Sequence, residues 1–140
     1  MSKPVLRVQD LAVTFSSFTG GFLKRHERQL RAVDGISFDL QAGETLGIVG
    51  ESGCGKSVTA LSIMRLLPQP MGQVVSGEVM LQGEDLTRFE LSQMEKVRGG
   101  RIGMVFQEPM TALNPVHTIG RQLSEVLFLH KDISKDQALK

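Results

Sequence analysis

Hydrophobic and polar positions alternate in part along residues 5–15 and again along residues 32–40, which predicts two β-strands near the start of the chain. Residues 16–31 between them combine glycines with a cluster of basic side chains, and this composition predicts a long, solvated hairpin loop. Shorter runs that are typical of strands follow at residues 45–49, 76–81 and 101–106. The run at 45–49 is continuously apolar, as expected of a strand buried in a parallel sheet.

Three segments have the pattern of helices. Residues 57–67 are apolar on most sides, which predicts a buried helix that Pro68 terminates. Residues 91–97 predict a short helix, and Thr118 is a suitable N-cap for a later one. The apolar face of that later helix would comprise Ile119, Leu123, Val126 and Leu127.

The motif that carries chemistry directly follows the apolar run at 45–49. It reads G-x-x-x-x-G-K-[ST] and comprises Gly50, Glu51, Ser52, Gly53, Cys54, Gly55, Lys56 and Ser57. This is the P-loop pattern, and a strand before it and a helix after it are the context that the motif requires. Its glycines let backbone N–H groups converge on a phosphate, Lys56 would reach the β- and γ-phosphates, and Ser57 would coordinate Mg²⁺. The sequence therefore predicts a nucleoside triphosphate site.

The residues around this motif resemble a known family. The stretch GETLGIVGESG at 43–53 is similar to the Walker A region of ABC-transporter ATPase subunits, most of all in the oligopeptide, dipeptide and nickel importer branch. The stretch MVFQEPMTALNP at 104–115 resembles that branch's Q-loop segment. The resemblance covers nearly the whole chain and implies an α/β fold, a P-loop NTPase with a RecA-like core and an antiparallel β-subdomain. Cys54 replaces the Ser of most such subunits, a change that should be tolerated because the position contributes mainly its backbone.

The resemblance also implies roles for single residues, with ATP and Mg²⁺ as the cofactors. Phe15 falls at the A-loop position, where an aromatic ring stacks on adenine, although a phenylalanine packed into the sheet would give the same pattern. Gln107 matches the Q-loop glutamine, which contacts Mg²⁺ and the attacking water; any strand end could also carry such a polar residue. The implied Mg²⁺ ligands are thus Ser57 and Gln107. Residues 108–115 would lie near the groove that receives the coupling helix of the membrane partner.

On this resemblance, residues 1–45 mainly form the β-subdomain, 46–106 the P-loop and core elements, and 107–140 the Q-loop and the start of the helical subdomain. The signature motif, the Walker B pair, the D-loop and the switch histidine have no counterpart in these residues. The capping-box pattern at 134–137 predicts a helix with too few residues to be stable. We therefore expect the N-terminal portion of one nucleotide-binding domain, truncated before the signature motif and inactive as an ATPase by itself.

The implied function is ATP hydrolysis that energises transmembrane transport, most simply the import of peptides or similar solutes. The implied partners are a second ATPase domain in a head-to-tail dimer, transmembrane permease subunits and, indirectly, a solute-binding protein. No stretch approaches the ~20 apolar residues of a membrane helix. We therefore expect a soluble chain held peripherally at the cytoplasmic face of the cell membrane. His117 and His130 lack the context of a switch histidine and are predicted to be surface or helix-end residues.

Charge and composition bear on two alternatives. Sixteen Lys and Arg against fifteen Asp and Glu give a formal net charge of +1, with no Trp and no Tyr. A near-neutral chain with few aromatic side chains argues against an ABC ATPase that acts on nucleic acid, and we expect no nucleic-acid partner. A non-catalytic nucleotide-binding module is the other alternative. The single cysteine excludes an internal disulfide and fits a reducing compartment.

Overall fold

The computed structural model describes residues 3–19, 26–107, 113–131 and 137. The chain divides into two compact units, Met1–Phe89 and Glu90–Lys140. The first unit contains an antiparallel sheet of four strands in the order β2-β1-β3-β4. Its strands are β1 Leu6–Thr19, β2 His26–Leu40, β3 Gly72–Leu81 and β4 Glu84–Asp85. The strands predicted at the start of the chain and at 76–81 are therefore confirmed.

The hairpin loop predicted for residues 16–31 is wrong over most of its length. β1 extends to Thr19 and β2 begins at His26, and their antiparallel register runs without a shift from the Thr14–Arg31 pair to the Thr19–His26 pair. Side chains add to the pairing, since Ser16 Oγ donates a hydrogen bond of 2.8 Å to a carboxylate oxygen of Glu27. Hydrogen bonds from Ser16 and a neighbouring glutamine lower the pKa of Glu27. The centre of the predicted loop lies outside the described residues.

A β-bulge sets which side chains of β1 reach the core. The β1–β3 register shifts near Asp10, which has a φ of 48°, and Gly77 on β3 has a φ of 95°. A Cβ at Gly77 would lie 2.5 Å from the Asp10 carbonyl oxygen, so only glycine fits there. Leu11, Ala12 and Val13, which follow the bulge, are all buried. They pack in the core of the first unit with Val8, Val33, Met64, Leu67, Val79, Leu81 and Leu86.

The β3–β4 connection is a tight turn that its sequence signals. Gln82 and Gly83 have φ angles of 50° and 92°. Positive φ at both central residues is the geometry of a type I′ turn, which matches the twist of the flanking strands.

The helix of the first unit, α1, spans Lys56–Ile63, so the helix predicted over 57–67 ends early. Arg65 takes a left-handed conformation with a φ of 50°. The N–H group of Leu66 then donates to the Leu61 carbonyl at 2.8 Å, which is the hydrogen bond of a Schellman motif. This local structure terminates the helix before the proline that was expected to do so.

The two strands predicted to belong to a buried core sheet are not formed. Residues 45–49 pair with no strand in the described part of the chain, and Val49 is 91% exposed. Residues 101–106 contribute only an isolated parallel bridge at Ile102, and Val105 is 97% exposed. A parallel strand acquires its hydrogen bonds and its burial from neighbouring strands. The described residues provide no such neighbour for either run.

The second unit contains the helices α2, Leu91–Val97, and α3, Ile119–His130, among its described residues. Both confirm the sequence-based prediction. Thr118 caps α3, because its hydroxyl oxygen accepts a hydrogen bond of 3.3 Å from the Arg121 N–H. The apolar face predicted for α3 is largely exposed, with Ile119 at 61% and Leu123 at 66%.

Two further points concern the predicted helices. The capping box at 134–137 lies outside the described residues except for Gln137. Within the described ranges, every helix is too short or too polar to cross a membrane.

Candidate functional site

The P-loop sequence at 50–57 leads directly into α1 and packs against β2. Gly55 is the N-cap of the helix and has a φ of 97°. A Cβ there would lie 2.6 Å from the Ala32 carbonyl oxygen and 3.5 Å from a methyl group of Val33. Two constraints therefore favour glycine at position 55: the left-handed backbone, and the close approach of β2, which leaves no space for a Cβ. This contact holds the start of the helix on the sheet.

The rest of the loop is tightly curled. Gly53 is also left-handed, with a φ of 82°, but a Cβ there would meet no atom within 4 Å. The Cys54 N–H donates to the Glu51 carbonyl at 3.3 Å. A Cβ at Gly50 would lie 2.5 Å from Cys54 Sγ. The thiol is thus folded over Gly50 while it stays exposed to solvent.

The ammonium group of Lys56 lies within this curled loop. Its Nζ donates hydrogen bonds of 2.7 Å to the carbonyls of Gly50 and Glu51, and it lies 3.4 Å from Cys54 Sγ. The positive charge of Lys56 therefore lies inside the curled loop, next to the carbonyls of Gly50 and Glu51.

The N-terminus of α1 adds backbone donors at the same place. The first intrahelical hydrogen bond runs from the Thr59 N–H to the Gly55 carbonyl at 2.8 Å. The N–H groups of the helix residues before Thr59 have no acceptor within the helix, and the first turn carries no acidic side chain. Ser57 is exposed in this turn. Unpaired N–H groups, the positive end of the helix and the Lys56 ammonium together form a site suited to phosphate.

Thr59 is a residue of the site that the sequence-based argument missed. Its hydroxyl also donates to the Gly55 carbonyl, at 3.0 Å. This carbonyl therefore accepts hydrogen bonds from both the hydroxyl and the N–H group of Thr59. Ser62 is buried beside it and donates to the Val58 carbonyl at 2.6 Å. The most buried positions of α1 are therefore polar, whereas the sequence predicted a helix buried through apolar side chains on most of its sides. A threonine three positions after the P-loop lysine was the available signal.

Phe15 lies in β1, opposite Leu30 of β2 and Gly72 of β3. A Cβ at Gly72 would lie 2.9 Å from the Phe15 ring, so the ring edge packs directly on the β3 backbone. The side chain is half-buried. One edge of the ring thus contacts the sheet while part of the ring stays accessible.

Gln107 belongs to the second unit, where its side chain is exposed. Residues 108–112, most of the segment expected near a coupling helix, lie outside the described residues, whereas Leu113 is exposed.

Gln122 is a second residue that the sequence-based argument missed. Its Oε1 accepts from the Asn114 N–H at 2.9 Å, and its Nε2 donates to the Asn114 and His117 carbonyls, both at 3.0 Å. The amide thereby fixes the turn that leads into α3.

Comparisons with known proteins point to one family. The sequence model of the family described as ABC transporter matches residues 33–140. The oligopeptide transport ATP-binding protein OppD of Bacillus subtilis (strain 168) is 47% identical over 136 residues, which is 97% of this chain and 36% of the relative. The dipeptide transport ATP-binding protein DppD of the same strain is 49% identical over 136 residues, 97% of this chain and 38% of the relative. The chain thus spans just over a third of the length of these relatives.

A solved structure shows the same fold. It is the dimeric structure of a post-hydrolysis state of the ATP-binding cassette MJ0796 bound to ADP and Pi. The superposition has a TM-score of 0.70 at 20% sequence identity, and it covers 96% of this chain and 52% of the neighbour. The fold class predicted from the sequence, an α/β P-loop NTPase with an antiparallel β-subdomain, is confirmed.

Proposed function

Because the chain belongs to the ABC transporter family, we propose that it forms the ATP-binding part of an ATPase that energises the import of peptides or similar solutes. The observation that carries this proposal is the Lys56 ammonium enclosed by the loop 50–57, at 2.7 Å from two backbone carbonyls. A cation held at a helix N-terminus is the arrangement that binds phosphate. The printed names of the peptide-transport relatives support the solute class.

We further propose a division of roles at the nucleotide. The loop from Gly50 to Ser57 would hold the phosphates, with Lys56 exchanging its carbonyl partners for phosphate oxygens. The exposed Ser57 hydroxyl in the first turn of α1 is a hard oxygen ligand of the kind that Mg²⁺ prefers. Gln107, exposed in the second unit, would add its amide oxygen, as its resemblance to the Q-loop glutamine implies. When bound, ATP and Mg²⁺ supply the phosphoanhydride bond and the charge that offsets its phosphates. Gln107 would orient the attacking water.

Replacing Phe15 by alanine tests its stacking on adenine. We expect ATP affinity to fall by about 1–3 kcal/mol, the range for base–aromatic stacking, and GTP affinity to fall comparably because every base has a π-face. Phe38 on β2, also half-buried, is the matched control, and Phe38→Ala should leave nucleotide affinity unchanged. The measurement is an equilibrium titration of the complete protein with each nucleotide. Unchanged affinity together with a lower melting temperature would identify Phe15 as a packing residue alone.

We propose that the complete protein works as a pair. Two such domains would join head to tail, at the cytoplasmic face of the membrane and against permease subunits, with a solute-binding protein as an indirect partner. The dimeric state named for the structural neighbour supports the pairing. In this arrangement residues 1–45 serve mainly as the β-subdomain, whose sheet β3 and β4 extend. Residues 46–106 serve as the P-loop and core part, and 107–140 as the Q-loop and the start of a helical subdomain.

Peptide uptake by cells tests the transport proposal. A chromosomal Lys56→Ala substitution should reduce the uptake of a labelled oligopeptide to the level of a deletion strain, because transport without ATP binding has no energy source. Lys96→Ala, which removes an exposed lysine of α2, is the control and should leave uptake intact. Normal uptake in the Lys56→Ala strain would separate this protein from peptide transport.

A further inference from the structure

His130, the last residue of α3, packs on a pair of glycines that follow α2. A Cβ at Gly99 would lie 2.7 Å from His130 Nε2 and 3.3 Å from its Cδ2, and a Cβ at Gly100 would lie 3.4 Å from His130 Nδ1. The imidazole ring therefore lies against the backbone of both glycines, which remain exposed on their other side. The side chain is half-buried at the end of α3, where the sequence predicted a surface or helix-end histidine.

Backbone hydrogen bonds hold these glycines in a turn. Gly99 has a φ of 78° and its N–H donates to the Ile102 carbonyl at 2.9 Å. The Ile102 N–H in turn donates to the Val97 carbonyl at 3.0 Å. The turn thus fixes Ile102, the first residue of the extended segment that runs to Gln107.

The path of the chain gives the contact its significance. The chain leaves the turn at Ile102, passes Gln107, enters α3 and returns to the same turn at His130. The His130–Gly99 contact consequently joins the end of α3 to the turn from which the chain leads to Gln107. We propose that His130 is a positioning residue, which holds the Gln107 segment and α3 in a fixed relation through the diglycine turn. This inference rests on the proposed role of Gln107.

Loss of the contact should affect hydrolysis more than ATP binding. Without the ring, the diglycine turn loses its contact with the end of α3, and the described segment that starts at Ile102 and leads to Gln107 is held less firmly at its start. Gln107 would then sample more positions around the reacting atoms. The P-loop residues that provide phosphate affinity are not altered.

Steady-state kinetics on the complete ATP-binding protein test the proposal. We expect His130→Ala to lower kcat about three- to tenfold with little change in KM for ATP. His130→Phe keeps a planar ring and should restore most of the rate. His117→Ala, which removes the other described half-buried histidine of this unit, is the matched control and should leave kcat unchanged. Amide hydrogen exchange of the peptide covering residues 98–107 should accelerate in His130→Ala and not in the control.

Other outcomes would overturn the proposal. A kcat for His130→Ala equal to that of His117→Ala, or a rise in KM that accounts for the whole effect, would reduce His130 to a packing residue. Lys56→Ala and Gln107→Ala are measured in parallel to separate the two claims. Loss of activity in both, with no effect at His130, removes this inference and leaves the proposed function standing. Full activity in both removes the proposed function and this inference with it.

Discussion

Alanine at position 56 is expected to lower the affinity for ATP by ten- to a hundredfold. A charge-assisted hydrogen bond to phosphate contributes about 1.5–3 kcal/mol, which corresponds to that range. Lys56 already lies where the phosphates would bind, with its Nζ 2.7 Å from the carbonyls of Gly50 and Glu51. Equilibrium titration of the complete protein with ATP measures the effect.

Two controls make the Lys56→Ala result specific. Lys96→Ala removes the same charge from an exposed position of α2 and should leave ATP affinity unchanged. The melting temperature of Lys56→Ala without nucleotide should stay close to that of the native protein, since Lys56 is not part of the apolar core. An ATP affinity unaffected by Lys56→Ala, in a folded protein, would rule out the P-loop as the phosphate site.

Gly55→Ala is expected to damage both stability and ATP binding. The left-handed backbone at a φ of 97° costs an alanine about 1–2 kcal/mol. In addition, the new Cβ would lie 2.6 Å from the Ala32 carbonyl oxygen, and this backbone atom of β2 can move only if the strand moves. The start of α1 must then shift away from the sheet, together with Lys56. We expect a lower free energy of unfolding and an ATP affinity reduced at least about tenfold.

Gly53→Ala is the matched control for this prediction. Gly53 shares the left-handed backbone, with a φ of 82°, but a Cβ there would meet no atom within 4 Å. Its replacement should therefore cost the backbone strain alone. Denaturant unfolding and ATP titration of both variants compare the two effects. Equal losses in Gly53→Ala and Gly55→Ala would show that the contact with β2 does not position the loop.

Elements determined by local chemistry could be predicted from the sequence. α2 occupies the predicted residues 91–97, and a capping box between Glu90 and Gln93 explains its start. Thr118 marks the start of α3, and Gln82-Gly83 has the residue types of the turn it forms. Each of these signals depends on neighbours in the sequence.

Elements that depend on distant partners were predicted less well. The apolar run at 45–49 indicates burial, but a parallel strand forms only where another strand lies beside it. The basic, glycine-containing stretch at 16–31 has the composition of a loop, yet most of it pairs as strand because backbone hydrogen bonds continue the register of the hairpin. The early end of α1 depends on the left-handed Arg65, a conformation that a long side chain rarely adopts.

In the candidate site, too, features that depend on local sequence could be predicted, whereas contacts between distant residues could not. The phosphate-binding residues from Gly50 to Ser57 follow from the motif, because its spacing encodes a loop and a helix start. The contact of Gly55 with Ala32 and the hydrogen bonds of Thr59 could not be predicted, because they depend on how α1 lies against β2. The sequence predicts which residues bind phosphate, and the structure shows which contacts hold those residues in place.

The thiol of Cys54 reports directly on whether this loop binds ATP. It is exposed and lies 3.4 Å from Lys56 Nζ. A maleimide adduct on Cys54 would occupy the curled loop where the phosphates are proposed to bind. The measurement is a labelling time course on the complete protein, with and without saturating Mg-ATP, in which digestion and mass spectrometry quantify the peptide that contains Cys54. Cys54→Ser serves as the control.

If the loop binds phosphates, Mg-ATP protects Cys54 from the maleimide, and prior labelling abolishes ATP binding. Cys54→Ser then retains ATP binding and loses its sensitivity to the reagent. Equal labelling rates with and without Mg-ATP, under conditions where ATP is bound, would place the nucleotide away from residues 50–57 and contradict the phosphate site described above.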